Sequence, residues 1–185
     1  MTNALLIRRV PTRLNASVSW GGPTVRTSDP RSSTTTVLHE PLFAIVVGHD
    51  AAPDDQTATD AALALIDTDA PSSDGPHICA ALLHGASVTL GATAGMAFLA
   101  RGQHIECLID ASEHEGHRAV TARAGDLYAL CSPGLLAAVP VARIRWVLRS
   151  QGPPSVVARR LLAFANHTQD AREAAVVVFR IRAGV

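Results

Sequence analysis

The sequence predicts an α+β domain built on antiparallel strands. Hydrophobic residues make up 48% of the 185 residues, enough for one buried core, so residues 1–185 are expected to form a single domain. Between residues 78 and 109, short apolar segments alternate with glycine-containing turns, which is typical of an antiparallel meander. Residues 53–66 and 139–164 instead carry apolar side chains at helical spacing. Together these patterns indicate strands packed with helices around one core.

The charge composition excludes several kinds of function. Sixteen cationic residues balance sixteen acidic ones, so no global field is expected to steer the protein toward nucleic acid or an anionic membrane, and neither is expected as a partner. All sixteen cations are arginine. Because lysine is missing, mechanisms that need a lysine base, a Schiff base or a P-loop lysine are excluded. The same composition, with its abundant alanine and proline, suggests a GC-rich bacterial genome.

The cysteines indicate a reducing compartment. Cys79, Cys107 and Cys131 are odd in number, far apart and set among apolar neighbours, so we expect three reduced core residues and a cytoplasmic protein. The apolar segment 5–7 is followed at once by Arg8 and Arg9, which leaves no apolar core for a signal peptide. No stretch approaches the roughly 20 apolar residues of a transmembrane helix.

The first half of the chain is expected to contain three strands and one helix. The strands cover residues 3–10, 14–20 and 42–47. A Ser/Thr-rich loop is expected after residues 25–31. Pro53, Asp54 and Asp55 favour a helix start, because proline fits the first helical position and acidic groups are stabilised by the helix dipole there. The helix is expected to continue to residue 66 through alanines and leucines on one face.

The second half is expected to contain further strands and two helices. The predicted strands are residues 78–83, 86–90, 95–99, 104–109, 127–131 and 174–181. Residues 110–118 are expected to form an acidic, histidine-bearing loop. Helices are expected around 141–148 and 157–164, separated by two prolines. Trp20, Tyr128 and Trp146 are expected in the core, because each lies in an apolar periodic segment.

The stretch from Gly125 to Leu136 carries the most specific pattern in the chain. It contains a turn, a short apolar strand, a second turn at Ser132, Pro133 and Gly134, and a helix start. It resembles the type-2C metal-dependent protein phosphatases, which read Gly-Asp-x-Leu-x-x-Cys-Ser-Asp-Gly-Leu there. Weaker similarities extend the resemblance over residues 14–183. It implies a layered α-β-β-α sandwich of two antiparallel sheets, here with reduced helical layers, because a polar loop at 67–76 replaces the family's next helix.

The resemblance also places the metal-binding positions of that family on this chain. The four positions that carry carboxylates in the family are Arg31, Val47, Pro133 and Arg172 here. Two-metal phosphoester hydrolysis needs several converging carboxylates, and none of these four side chains can supply one. Asp170 lies close enough to Arg172 that a small shift in the alignment restores one ligand. We therefore expect no catalytic residues, no metal and no other cofactor.

Two alternatives for ligand binding remain open from the sequence. Arg26, Arg31 and Arg172 could converge on a phosphate or an acidic group, with guanidinium replacing metal, or Arg31 and Arg172 could be solvated loop residues. His49 and Asp50, with Asp54 or Asp55, could form a displaced metal site, or they could be a polar loop followed by helix-capping acids.

A second group of histidines and glutamates lies between residues 113 and 117. His114 and His117, with Glu113 and Glu115, could ligate a metal or form a solvated loop.

The resemblance implies a catalytically inactive phosphatase-like module that binds a protein partner. The alternative is an active hydrolase with ligands relocated around His49, Asp50 and Asp54. Removal of Met1 would expose Thr2 as the nucleophile of an N-terminal-nucleophile hydrolase, but the proteasome-like members of that class use a lysine, which is absent here.

Overall fold

The computed structural model describes residues 34–39, 41–48, 53–67, 76–110, 116–165 and 174–182. In chain order the elements are β1 (Thr34–His39), β2 (Leu42–Val47), α1 (Asp55–Asp67), β3 (His77–His84), β4 (Ser87–Ala92), β5 (Met96–Arg101), β6 (His104–Asp110), β7 (Gly116–Thr121), β8 (Leu127–Cys131), α2 (Pro133–Ala138), α3 (Val141–Arg149), α4 (Pro154–Ala165) and β9 (Val176–Arg180). The strands predicted at 3–10 and 14–20 lie outside the described residues.

The strands form two antiparallel sheets. One sheet has the order β1-β2-β3-β4-β7 and the other has the order β6-β5-β8-β9. β2 is an inner strand of the first sheet, between β1 and β3, and its Phe43 lies opposite Ala81 of β3. All six residues of β2 are buried. A strand covered on both faces needs apolar side chains at successive positions, which explains its continuous apolar run.

The two sheets pack face to face and helices cover their outer faces. Between the sheets, Phe43 stacks on Phe179 with ring centroids 4.5 Å apart, and Phe179 stacks on Tyr128 at 5.1 Å. Helix α1 packs on the first sheet through Ala58, Ala62, Leu65 and Ile66. Helices α2, α3 and α4 pack on the second sheet. The predicted α-β-β-α sandwich is therefore confirmed.

Two strands were not expected from the sequence. The predicted Ser/Thr-rich loop contains β1, in which the threonines are β-branched and pair along the whole length of β2. The acidic loop predicted at 110–118 runs into β7, which pairs with β4. Among the described residues both are the outermost strands of the first sheet, and an edge strand can carry polar side chains because one side of it lies open to water.

The meander predicted over 78–109 is divided between the two sheets. β3 and β4 belong to the first sheet, whereas β5 and β6 belong to the second. The chain crosses between them at residues 93–95. Gly95 has φ +92°, a left-handed conformation that favours glycine. Thr93 holds the crossing, since its hydroxyl accepts the N–H of Ile78 at 2.8 Å.

The predicted core aromatics have different environments. Tyr128 is fully buried between the sheets, as expected. The prediction for Trp146 is wrong, because its side chain is 57% exposed. Ile144, Val147 and Leu148 form the buried face of α3, and Trp146 lies on the opposite side of that short helix. Trp20 lies outside the described residues.

Candidate functional site

The candidate site lies where β2 and β8 end and β9 begins. Cys131 at the end of β8 lies opposite Val176 at the start of β9. Val47 ends β2 and belongs to the same inter-sheet apolar cluster as Leu130 and Ala175. The Val47 side chain therefore belongs to the apolar core between the two sheets.

Ser132 fixes the backbone at this junction. Its buried hydroxyl accepts the N–H of Ala175 at 2.8 Å and the N–H of Leu135 at 3.2 Å. Its own N–H donates to the Ala175 carbonyl at 3.0 Å. One side chain therefore caps α2 and ties its start to the segment before β9. Pro133 occupies the first helical position, where a missing N–H leaves no hydrogen bond unmade.

The residues described here do not fit a two-metal centre. Val47 is only 5% exposed and is packed among apolar side chains. Pro133 has no side-chain oxygen or nitrogen that could bind a cation. Among the described residues, no group of three or more His, Cys, Asp or Glu side chains lies close enough together to hold a metal ion.

Two cysteine thiols lie beside this junction, but they are poor ligands and nucleophiles. Cys79 and Cys131 are both buried. Burial raises the pKa of Cys79 to about 12 and raises the pKa of Cys131 well above its ordinary value, because desolvation disfavours the thiolate. Both thiols are therefore neutral near pH 7, and the thiolate is the form that attacks or binds metal.

We expect Cys79 to resist alkylation in the folded protein. With a pKa of about 12, roughly 10⁻⁴ of the Cys79 thiol is ionised at pH 8, and burial blocks access as well. Iodoacetamide at pH 8 should leave Cys79 and Cys131 unmodified by mass spectrometry, whereas both should be modified after unfolding in guanidinium chloride. Rapid modification of Cys79 without denaturant would contradict this burial.

Asp54 caps α1, whose first residue is Asp55, and the other two members of the predicted displaced metal site are not described. The Asp54 carboxylate accepts the N–H of Thr57 at 2.8 Å, and this bond lowers its pKa. The side chain is exposed at the start of α1. The helix-capping alternative is therefore confirmed for Asp54, whereas His49 and Asp50 lie outside the described residues.

The remaining predicted ligands are mostly not described either. Arg26, Arg31 and Arg172 of the predicted phosphate site lie outside the described residues, as does Asp170. So do three members of the second histidine cluster, His114, Glu113 and Glu115. Its fourth member, His117, is on β7, and its Nε2 atom lies 3.1 Å from the carbonyl oxygen of Ile66 near the end of α1.

A buried carboxylate was missed by the sequence reasoning. Asp126, only 1% exposed, accepts two hydrogen bonds from Arg101, from Nε at 2.8 Å and from Nη2 at 2.7 Å. It also accepts the N–H of Arg123 at 2.8 Å. The sequence pattern of Gly125 and Asp126 predicts a turn and does not by itself predict this burial. The signal was the aspartate placed directly before a fully buried strand, where it cannot easily reach water.

Comparison with known proteins identifies the fold. No protein-family model matches the chain, and no curated protein matches it. Among solved structures, it is similar to PppA, "a key regulatory component of T6SS in Pseudomonas aeruginosa", with 14% identity, a TM-score of 0.62, and coverage of 81% of this chain and 91% of that one.

Two further structures have the same architecture. The catalytic domain of the serine/threonine protein phosphatase PstP, solved with two manganese ions, is 19% identical with a TM-score of 0.63, covering 91% of this chain and 96% of that one. A PP2C phosphatase domain with a regulatory fragment, from SpoIIE of Bacillus subtilis, is 13% identical with a TM-score of 0.62, covering 84% and 60%. The chain thus has the fold of type-2C serine/threonine phosphatase domains.

Proposed function

We propose that this domain is a catalytically inactive, phosphatase-2C-like module that binds and regulates a partner protein. The observation that carries the proposal is the pair Val47 and Pro133, which stand where the resemblance places metal-binding carboxylates. Hydrolysis of this type uses two metal ions about 3.5–4 Å apart to generate a nucleophilic water. An aliphatic side chain inside the core and an imino ring at a helix start cannot hold such ions.

The backbone around Ser132 is consistent with a domain that has lost its metal ligands and kept its fold. Ser132 still caps α2 and binds the backbone of Ala175, as described above. These bonds need only a hydroxyl and two N–H groups, so the junction stays intact without any carboxylate. A domain that keeps the scaffold and lacks the ligands is suited to a binding role, because fold and chemistry are separable.

The names of the similar structures support a regulatory role by analogy. PppA is described as a regulatory component and SpoIIE as a cell fate determinant. The partner proposed for this chain is a protein, with neither nucleic acid nor membrane involved, in a bacterial cytoplasm. None of the described helices is long and apolar enough to cross a membrane.

A phosphatase assay tests the inactivity. We expect the purified protein, with millimolar manganese or magnesium and p-nitrophenyl phosphate, to show turnover no higher than buffer, with or without chelator. The PstP catalytic domain serves as the active control. Calorimetry should show no saturable heat with manganese. Turnover that chelator abolishes would overturn the proposal, and its further loss in Asp54→Asn would favour the relocated metal site around His49, Asp50 and Asp54.

The proposed phosphate site is tested separately. If Arg26, Arg31 and Arg172 converge, inorganic phosphate should raise the melting temperature in a saturable manner, because a ligand that binds only the folded state stabilises it. Arg26→Ala should remove that shift, and Arg118→Ala on β7 is the control that should not. A shift that Arg26→Ala leaves unchanged would assign the phosphate elsewhere.

A further inference from the structure

The balanced net charge conceals two oppositely charged outer layers. Residues 53–67, on the first sheet, contain exposed aspartates and no arginine: Asp54, Asp55, Asp60 and Asp67. On the second sheet, α3 and α4 carry exposed arginines: Arg143, Arg145, Arg149, Arg159 and Arg160. No Asp or Glu occurs between residues 127 and 169. The zero net charge therefore coexists with a local excess of positive charge on the outer face of the second sheet.

This basic helical face also carries an aromatic side chain. We define it by the exposed residues Arg143, Arg145, Trp146, Arg149, Arg159 and Arg160. Among the described residues, Trp146 is the one large hydrophobic side chain that is exposed. In α3 the buried residues occupy one side, so Arg145, Trp146 and Arg149 share the solvent side. The indole is thus flanked by guanidinium groups.

Arg143 is held in place by two aromatic rings. Its guanidinium carbon lies 5.7 Å from the centroid of Trp146 and 4.9 Å from the centroid of Phe164 on α4. Arg160 is one helical turn before Phe164, so it lies along the same edge of α4. Cation–π contacts orient a guanidinium without neutralising its charge, which leaves its N–H donors free to bind an anion.

The arginines of the basic helical face take no part in the ion pairs found between described residues. The ion pairs there join Arg101 to Asp126 and Arg118 to Glu106. Neither pair includes an arginine of the basic helical face. Clustered cations repel one another. Such a cluster therefore destabilises the folded protein unless a surface of opposite charge covers it.

We propose that the basic helical face binds an acidic segment of a partner protein, one that carries carboxylates around an apolar side chain seated on Trp146. Arginine forks pair with carboxylates in bidentate geometry, and Trp and Arg are the residues that dominate protein interfaces. This inference names the surface and the partner chemistry of the proposed function, and it rests on the proposed protein-binding role.

Two observations favour a protein over other polyanions. The opposite layer carries four exposed aspartates, so a long nucleic acid that extended around the domain would meet repulsion. A membrane surface would need a stripe of apolar side chains to insert, and α3 exposes a single indole between arginines. A short acidic segment matches a nine-residue helix about 13 Å long.

Fluorescence anisotropy with a defined probe tests the proposal. The probe is a fluorescein-labelled peptide of about 12 residues, or three helical turns, rich in Asp and Glu around a central leucine. Its control carries Asn and Gln instead. We expect saturable binding of the acidic peptide alone. Trp146→Ala should weaken binding about tenfold, and Arg143→Gln with Arg145→Gln should weaken it about fivefold.

The matched control removes the same charge elsewhere. Arg118→Gln with Arg123→Gln also deletes two cations, but from the first sheet and a turn, and should leave the affinity within about twofold. Equal loss in both double variants would indicate a non-specific charge effect and overturn the proposal. So would the absence of saturable binding, or an affinity that Trp146→Ala leaves unchanged.

The same variants distinguish other ligands of the basic helical face. Binding of duplex DNA or phosphatidylserine vesicles that needs Trp146, without binding of the peptide, would overturn the proposal. Concentration-dependent self-association that the same variants abolish would assign the face to the acidic layer of a second copy and would also overturn it. These readouts are independent of the phosphatase assay, so a failure of peptide binding can be told apart from a failure of the proposed inactivity.

Discussion

Replacement of Gly95 by alanine is expected to destabilise the domain by about 4 kcal/mol. Gly95 has φ +92°, where an L side chain is strained, and a Cβ atom there would overlap the carbonyl oxygen of Cys131. That carbonyl belongs to the last residue of β8, which is paired on both sides and cannot easily move. Urea unfolding followed by circular dichroism measures the change in the free energy of unfolding.

Gly102→Ala separates strain from overlap. Gly102 also has a left-handed conformation, φ +58°, but no atom lies within 4 Å of the position of an added Cβ. Its replacement should cost only about 1 kcal/mol, from the backbone conformation alone. An equal decrease in the free energy of unfolding in the two variants would contradict this explanation. It would show that overlap with the Cys131 carbonyl oxygen adds nothing to the backbone strain.

Asp126→Asn is expected to cost about 3 kcal/mol. The carboxylate is buried and accepts three hydrogen bonds, two from Arg101 and one from the backbone of Arg123. Asparagine keeps the shape but removes the charge, and its NH₂ group would face a donor instead of accepting from it. The loss is large because the substituted amide stays buried with a donor facing a donor, whereas the Arg101 side chain is 32% exposed and can be hydrated.

The exposed ion pair that joins β6 of the second sheet to β7 of the first sheet is the control for Asp126. Glu106 and Arg118 lie 2.7 Å apart with side chains 37% and 45% exposed. Glu106→Gln should therefore cost less than about 1 kcal/mol, because water screens the pair. Salt at 1 M should reduce this small contribution further and leave the Asp126 effect nearly unchanged. A loss for Asp126→Asn no greater than for Glu106→Gln would mean that burial of the Asp126 carboxylate adds nothing to the stability of its hydrogen bonds.

Much of the central architecture could be predicted from local pattern. The apolar run at 42–47 predicted a buried strand, and β2 spans those six residues. Residues 125–136 predicted a turn, a strand and a helix start in succession, and the structure has β8, the Ser132 cap and α2 there. These predictions succeed because close packing on both faces demands apolar side chains, and because turn and cap chemistry is local.

Edge strands and exposed faces were less accessible to the same reasoning. β1 is rich in threonine and β7 carries exposed His117 and Arg118, so neither has the apolar signature of a core strand. They are strands because β2 and β4 offer them unpaired backbone groups. The exposure of Trp146 was not predictable either. A periodic apolar stripe does not show how much of a helix the sheet beneath it covers.

By itself, the sequence determined the fold class, the inner strands, and the absence of a carboxylate at Val47 and Pro133, two positions where the resemblance places metal-binding carboxylates. Each of these depends on residue type at one place or on a short contiguous pattern. The tertiary structure alone decided that Asp126 is buried against Arg101, and that four aspartates and five arginines lie in opposite outer layers. Composition sums charges over the chain, whereas an electrostatic field depends on where folding places them.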